Sequence, residues 1–186
     1  GGERLTPRRF RTLGYGFGSS ASFDGLHYLL EEAFVGTEPS GTLSDTFLHG
    51  VNAAVGYATR PLFALMHEAI YCQRTASNWA AHRVLDEFPE FEDERLFVGE
   101  MIYPWFFDED PALRPLKECA ELLAAYEDWP ALYDTGRLAA NTVPAFAAVY
   151  YDDMYVDREH SMRTAASITG LRAWVTSEYA HNGLSA

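Results

Sequence analysis

The chain has 186 residues, 48% of them hydrophobic, including 12 Phe, 11 Tyr and 4 Trp. That is enough apolar surface to offset chain entropy, so the composition excludes a disordered chain and allows one helical domain plus a smaller appendix. Net charge is −13 from 27 acidic and 14 basic residues, with no basic cluster, which argues against a nucleic-acid partner.

The elements follow in chain order, with residues 1–60 reading as helices. Thr6 is placed to cap a helix whose first residue is Pro7. From Phe23 to Phe34, Leu26, Leu29, Leu30 and Phe34 recur at helical spacing. After a break at Gly36–Gly41 a second stripe runs through Leu43, Phe47, Val51, Ala54, Val55 and Ala58. Pro61–Tyr71 and Trp79–Phe88 are further helices, the latter stopped by Pro89. The stretch LFVGEMIYPWFF, residues 96–107, is aromatic around a single Glu. Ala112–Tyr126 reads as an amphipathic helix through Leu113, Leu116, Ala120, Leu123 and Tyr126.

The character changes near residue 141. Val143–Tyr150 is a continuous apolar run of strand length that suits a parallel sheet covered on both faces. Asp157 is placed to cap a helix reaching about Ile168, and Leu171–Thr176 is a second strand. Strand, loop, helix and strand form one parallel crossover. Two strands do not make a stable sheet alone, so the remaining strands come from elsewhere. Without them the run from Val143 is an apolar edge prone to association, and a homo-oligomer is one outcome.

Cys72 and Cys119 lie in apolar, helix-like contexts without CxxC spacing, which predicts two buried free thiols and a reducing cytoplasm. Neither a leader peptide nor an apolar run long enough for a bilayer is recognisable, so no membrane association is expected.

Three constellations bear on chemistry. Asp153 follows one predicted strand and His181 follows the next, which brings both to one edge of a parallel sheet, where open α/β sheets place their sites. The layout matches the last two members of a Ser, Asp, His order; the plain alternative is a loop carboxylate and a surface histidine. A nucleophile elbow is missing: these residues hold no GxSxG, and the glycines from Gly14 to Gly18 follow no buried strand. Glu68 and Glu100 sit in apolar settings, His67-Glu68-Ala69-Ile70-Tyr71 and Gly99-Glu100-Met101-Ile102-Tyr103. Such carboxylates need a partner, and two that converge hold an ammonium group; alternatively each caps a helix or reaches water. His67-Glu68 begins like HExxH, but Tyr71 occupies the second ligand position. Neither a metal nor a cofactor is expected.

The segments LHYLLEEAF, LMHEAIYCQ, LFVGEMIYPWFFDEDPALRPL, VPAFAAVYYDDMYVDRE and RAWVTSEYAHNGL resemble the cap and C-terminal region of the proline iminopeptidase branch of α/β-hydrolase serine peptidases. The resemblance covers nearly the whole chain. It implies a mainly α helical cap over residues 1–108, followed over 109–186 by the C-terminal helix/strand units of an α/β-hydrolase core, an incomplete α/β-hydrolase fold. The triad acid maps to Asp153, with Asp152 as the adjacent alternative, and the base maps to His181. Glu68 and Glu100 become the carboxylates that hold the substrate's amine, with Tyr103 lining the pocket for a proline ring. The partners implied are a peptide with a free N-terminus and the missing N-terminal half of the hydrolase domain, which carries the oxyanion segment and the nucleophile. The chain alone is then expected to be inactive. The contrasting reading is a non-catalytic helical module that binds a ligand or partner.

Overall fold

The computed structural model describes residues 4–36 and 41–184. They are mainly helical, with two sheets of two strands each. The chain packs as two compact units. One contains the residues up to Tyr15 together with Gly25–Leu132, the other Gly16–Asp24 together with the residues from Tyr133 onward. The sequence reading divides the chain at residue 108; the packing divides it after Leu132.

In the first unit α1 spans Pro7–Arg11. Thr6 caps it as expected: its hydroxyl accepts the Arg9 N–H at 3.3 Å, and Pro7 sits where a missing N–H costs nothing. Helix α2 spans Ala21–Glu31 and stops short of Phe34. Phe34–Val35 forms β1 and pairs antiparallel with β2, Thr42–Leu43. The expectation of helices throughout residues 1–60 therefore fails here, because an apolar residue at helical spacing serves equally well in a short ladder. Helix α3, Asp45–Val55, is capped by Ser44, whose Oγ accepts the Phe47 N–H at 3.0 Å. Phe47, Val51 and Val55 are buried with Ala33 beneath Phe10, Leu13 and Leu29. Leu43 and Ala58, the ends of the predicted stripe, lie outside the helix, which stops before the extended Gly56.

Helix α4 is Pro61–His67, shorter than the expected run to Tyr71. The predicted helix Trp79–Phe88 is broken into α5, Ala80–Arg83, and a 3-10 turn at Leu85–Glu87, followed by another at Pro89–Glu92. Phe88 precedes a proline and is pushed out of helical geometry, to φ −126° and ψ 70°. Helix α6 is Phe106–Glu109, and α7 is Lys117–Ala125, entered through a 3-10 turn at Arg114–Leu116. Phe106, Phe107, Leu113 and Ala120 pack against Ala64, Leu65, Val98 and Ile102 to form the larger core.

A buried carboxylate organises this core. Asp110 accepts the Tyr57 N–H at 3.0 Å and the Ala112 N–H at 2.9 Å, and Arg9 lies 3.8 Å away with Asn52 on its other side. The thiols depart from expectation: Cys72 is half-buried and Cys119 is exposed on α7.

In the second unit Asp134 caps α8, Thr135–Ala139. Strand β3, Ala145–Tyr150, pairs in parallel with β4, Leu171–Thr176, from Ala145 opposite Leu171 to Tyr150 opposite Thr176. Helix α9, Arg158–Ala166, makes the crossover, and the Asp157 carboxylate accepts the His160 N–H at 2.8 Å. Gly170, at φ +78°, supplies the left-handed turn into β4. The predicted crossover is thus formed. Its strands are not covered on both faces: Phe146 is 75% exposed and Trp174 is 48% exposed. Among the described residues no helix is long and apolar enough to cross a membrane.

Candidate functional site

In the second unit the chain leaves β3 at Tyr150, and the Tyr151 N–H extends the ladder to the Thr176 carbonyl at 2.8 Å. Asp153 follows that turn. Its Oδ1 accepts the N–H groups of Tyr155, at 2.8 Å, and Val156, at 3.1 Å, which folds the loop around the carboxylate. Its Oδ2 faces Nδ1 of His181 at 2.8 Å. The Asp153 side chain is 5% exposed and that of His181 is 42% exposed; Asp152 is exposed to solvent.

His181 arrives after β4 through a turn in which the Glu178 N–H bonds the Thr176 hydroxyl at 3.1 Å. The Tyr155 and His181 rings meet in a T-shaped arrangement with centroids 4.9 Å apart, and the Tyr150 ring lies at 5.8 Å. The approach is close at Gly183, where a Cβ would come within 2.8 Å of the Tyr179 ring and 3.0 Å of the Tyr150 ring. A carboxylate on Nδ1 selects the tautomer with its proton there. Nε2 is left as an acceptor.

The first unit holds Glu68, Glu100 and Tyr103. Glu68, just past α4, accepts the Ala80 N–H at 2.9 Å and so satisfies a donor in the first turn of α5. Glu100 is half-buried, with Oε1 3.5 Å from Nε2 of His67. Tyr103 is buried. Its hydroxyl donates to the Met101 sulfur at 3.3 Å, its ring stacks on Trp105 at 5.7 Å, and burial pushes its phenol pKa upward. It also borders an apolar cavity of about 170 Å³ shared with Ala81, Val84, Leu85, Phe91 and Met101.

Three residues around Glu100 escaped the sequence reading. Tyr15 lies near Glu100 and Arg60, and burial, then the charge of Glu100, raise its phenol pKa. The Arg60 guanidinium lies over the rings of Tyr15, Tyr57 and Phe63 at 5.3, 5.5 and 5.6 Å. His67 is the third. Tyr15 stands inside the Gly14–Gly18 segment, and nothing local marks it as a neighbour of a residue so distant in sequence.

No family model matches the chain. A proline iminopeptidase of Aeromonas sobria is 46% identical over 187 aligned residues, which cover 98% of this chain and 43% of that protein. The proline iminopeptidase aneH of Aspergillus aculeatus is 31% identical over 97% of this chain and 41% of its own length. The chain therefore spans about two fifths of the curated relatives it matches, and its similarity to them runs almost from end to end.

Proposed function

From this homology with the proline iminopeptidases, we propose that the chain is the cap and C-terminal core segment of a serine aminopeptidase of α/β-hydrolase type. The reading rests above all on one observation: a nearly buried Asp153 carboxylate 2.8 Å from Nδ1 of a half-exposed His181 at the end of a parallel strand pair.

In this proposal a serine outside these residues attacks the carbonyl of the first peptide bond. Nε2 of His181 takes the serine proton and later delivers it to the leaving amine, while Asp153 holds the ring and stabilises the imidazolium between the two transfers. Glu100 holds the ammonium group of the substrate's N-terminus, with Glu68 as the second carboxylate. An enzyme that requires that ammonium removes single N-terminal residues, and the names of the relatives point to proline. Tyr103 and its apolar surroundings belong to the wall on which the ring of that residue packs.

The test uses the full-length protein that contains this segment. It should release proline from proline p-nitroanilide, react with a serine-directed fluorophosphonate and lose activity on labelling. The 186-residue chain alone should do neither. A full-length protein with no aminopeptidase activity and no labelling would overturn the proposal and leave a helical binding module as the better reading.

A further inference from the structure

The glycines from Gly14 to Gly18 have no task in the proposed reaction, yet Gly18 touches a ring that touches the proposed base. Residues Gly16–Asp24 belong to the same compact unit as Asp153, Tyr155 and His181. Gly18 is buried and ends the 3-10 turn that begins at Thr12. A Cβ built on it would overlap Cδ2, Cε2 and Cζ of Tyr155, so that ring occupies the space a side chain at position 18 would need. The backbone beside Gly18 is braced: the Phe17 ring stacks on Phe23 at 5.2 Å, and the Ser22 N–H donates to the Ser19 carbonyl at 3.0 Å.

Tyr155 is also held at its own backbone. Its N–H donates to Oδ1 of Asp153 at 2.8 Å, and Oδ2 of the same carboxylate meets Nδ1 of His181. With the backbone held, two side-chain torsions remain to place the ring. Gly18 bounds it, and the imidazole meets it with centroids 4.9 Å apart and planes at 86°. A single hydrogen bond at Nδ1 fixes one corner of the imidazole and leaves the ring free to rock about that corner, which swings Nε2. A T-shaped aromatic contact removes that freedom. The position of Nε2 matters because a general base works within about 2.6–3.2 Å of its proton donor. A misplacement of about 1 Å can cost about a hundredfold in rate.

We propose that Tyr155 is a positioning residue for the His181 imidazole, and that Gly18, by leaving the space its ring fills, sets where Tyr155 stands. The proposal rests on His181 being the base of the aminopeptidase reading, so its test must separate the two ideas.

Gly18→Ala, Tyr155→Ala, the double variant and Tyr155→Phe are compared in the full-length protein. The measurements are kcat and KM on proline p-nitroanilide, with the extent and the rate constant of labelling by a fluorophosphonate. The extent counts folded enzyme; the rate constant reports how well the base activates the serine. Gly18→Ala and Tyr155→Ala should each lower kcat and the labelling rate constant by about 10- to 100-fold, with KM within about threefold of wild type and labelling still complete. Tyr155→Phe, which keeps the ring, should retain at least about a third of kcat. The double variant should be no slower than Tyr155→Ala, because Gly18 acts only through the ring. Tyr155→Leu takes the place of Tyr155→Ala should the latter fail to fold. A wild-type labelling rate in Tyr155→Ala, a Tyr155→Phe variant as slow as Tyr155→Ala, or losses that multiply in the double variant would overturn the inference. His181→Ala is the separating control. If it keeps its activity, the base assignment itself is wrong; if it loses activity while the Gly18 and Tyr155 variants react like wild type, only the positioning role is wrong.

Discussion

The Asp153 carboxylate and the His181 imidazole meet at 2.8 Å across the crossover from β3 to β4, and the other Asp153 oxygen is held by two backbone N–H groups of its own loop. Its own loop therefore holds the aspartate independently of the histidine, and the adjacent Asp152 is exposed. In the full-length protein Asp153→Asn should leave the fold intact and lower kcat by about 10³- to 10⁴-fold, because Asn selects the wrong tautomer and cannot stabilise the imidazolium. Asp152→Asn should change kcat by less than about threefold. Steady-state kinetics with circular dichroism as the folding control decides it. Reversed effects would make Asp152 the acid.

Asp110 is the electrostatic anchor of the first unit, with two backbone donors and the buried Arg9 around it. Asp110→Ala strands Arg9 and two N–H groups in the core and should destabilise the unit by about 3 kcal/mol or more. Urea unfolding followed by tryptophan fluorescence should show the midpoint falling with the slope retained. A loss below about 1 kcal/mol would mean that water replaces these contacts easily.

Gly14 is required for a close approach and not for its backbone angles. A Cβ there would stand 2.3 Å from the Val98 carbonyl oxygen and 2.8 Å from the Phe97 Cβ. The same strip of chain is tied by the Val98 N–H to the Arg11 carbonyl at 3.0 Å. Gly14→Ala should therefore cost about 1–3 kcal/mol through forced separation of backbone segments. Gly25→Ala, where a Cβ meets nothing within 4 Å, should be neutral or slightly stabilising. Thermal unfolding of the two variants side by side makes the comparison.

The parallel pair β3–β4 leaves Phe146 75% exposed and Trp174 48% exposed, and Val143, just before β3, is 67% exposed. Apolar residues along so short a sheet predict concentration-dependent association of the 186-residue chain. Sedimentation velocity should show species larger than the 20.9 kDa monomer, and Phe146→Lys should shift the distribution back toward it. A wild-type chain that stays monomeric at high concentration would contradict this.

Much of the second unit was legible because its signals are local. Asp157 caps α9 as its position implies, the apolar runs become β3 and β4, and the crossover brings Asp153 and His181 to one edge. The same holds for Thr6 and Pro7 at the start of α1. Each depends on residues a few positions apart, or on the handed connection between consecutive parallel strands. Helix lengths in the first unit were less legible, since apolar spacing cannot tell the end of a helix from a short ladder, as Phe34 opposite Leu43 shows.

Only tertiary structure decided which polar groups partner which. Arg9 meets Asp110, Tyr15 lies near Glu100 and Arg60, Glu100 meets His67, and Glu68 accepts the Ala80 N–H. A buried charge must find a partner, and composition and spacing show that such a partner is needed. They do not show which one, because the choice is made by chain segments that become neighbours only after the apolar core of Phe107, Leu113 and their surroundings has packed.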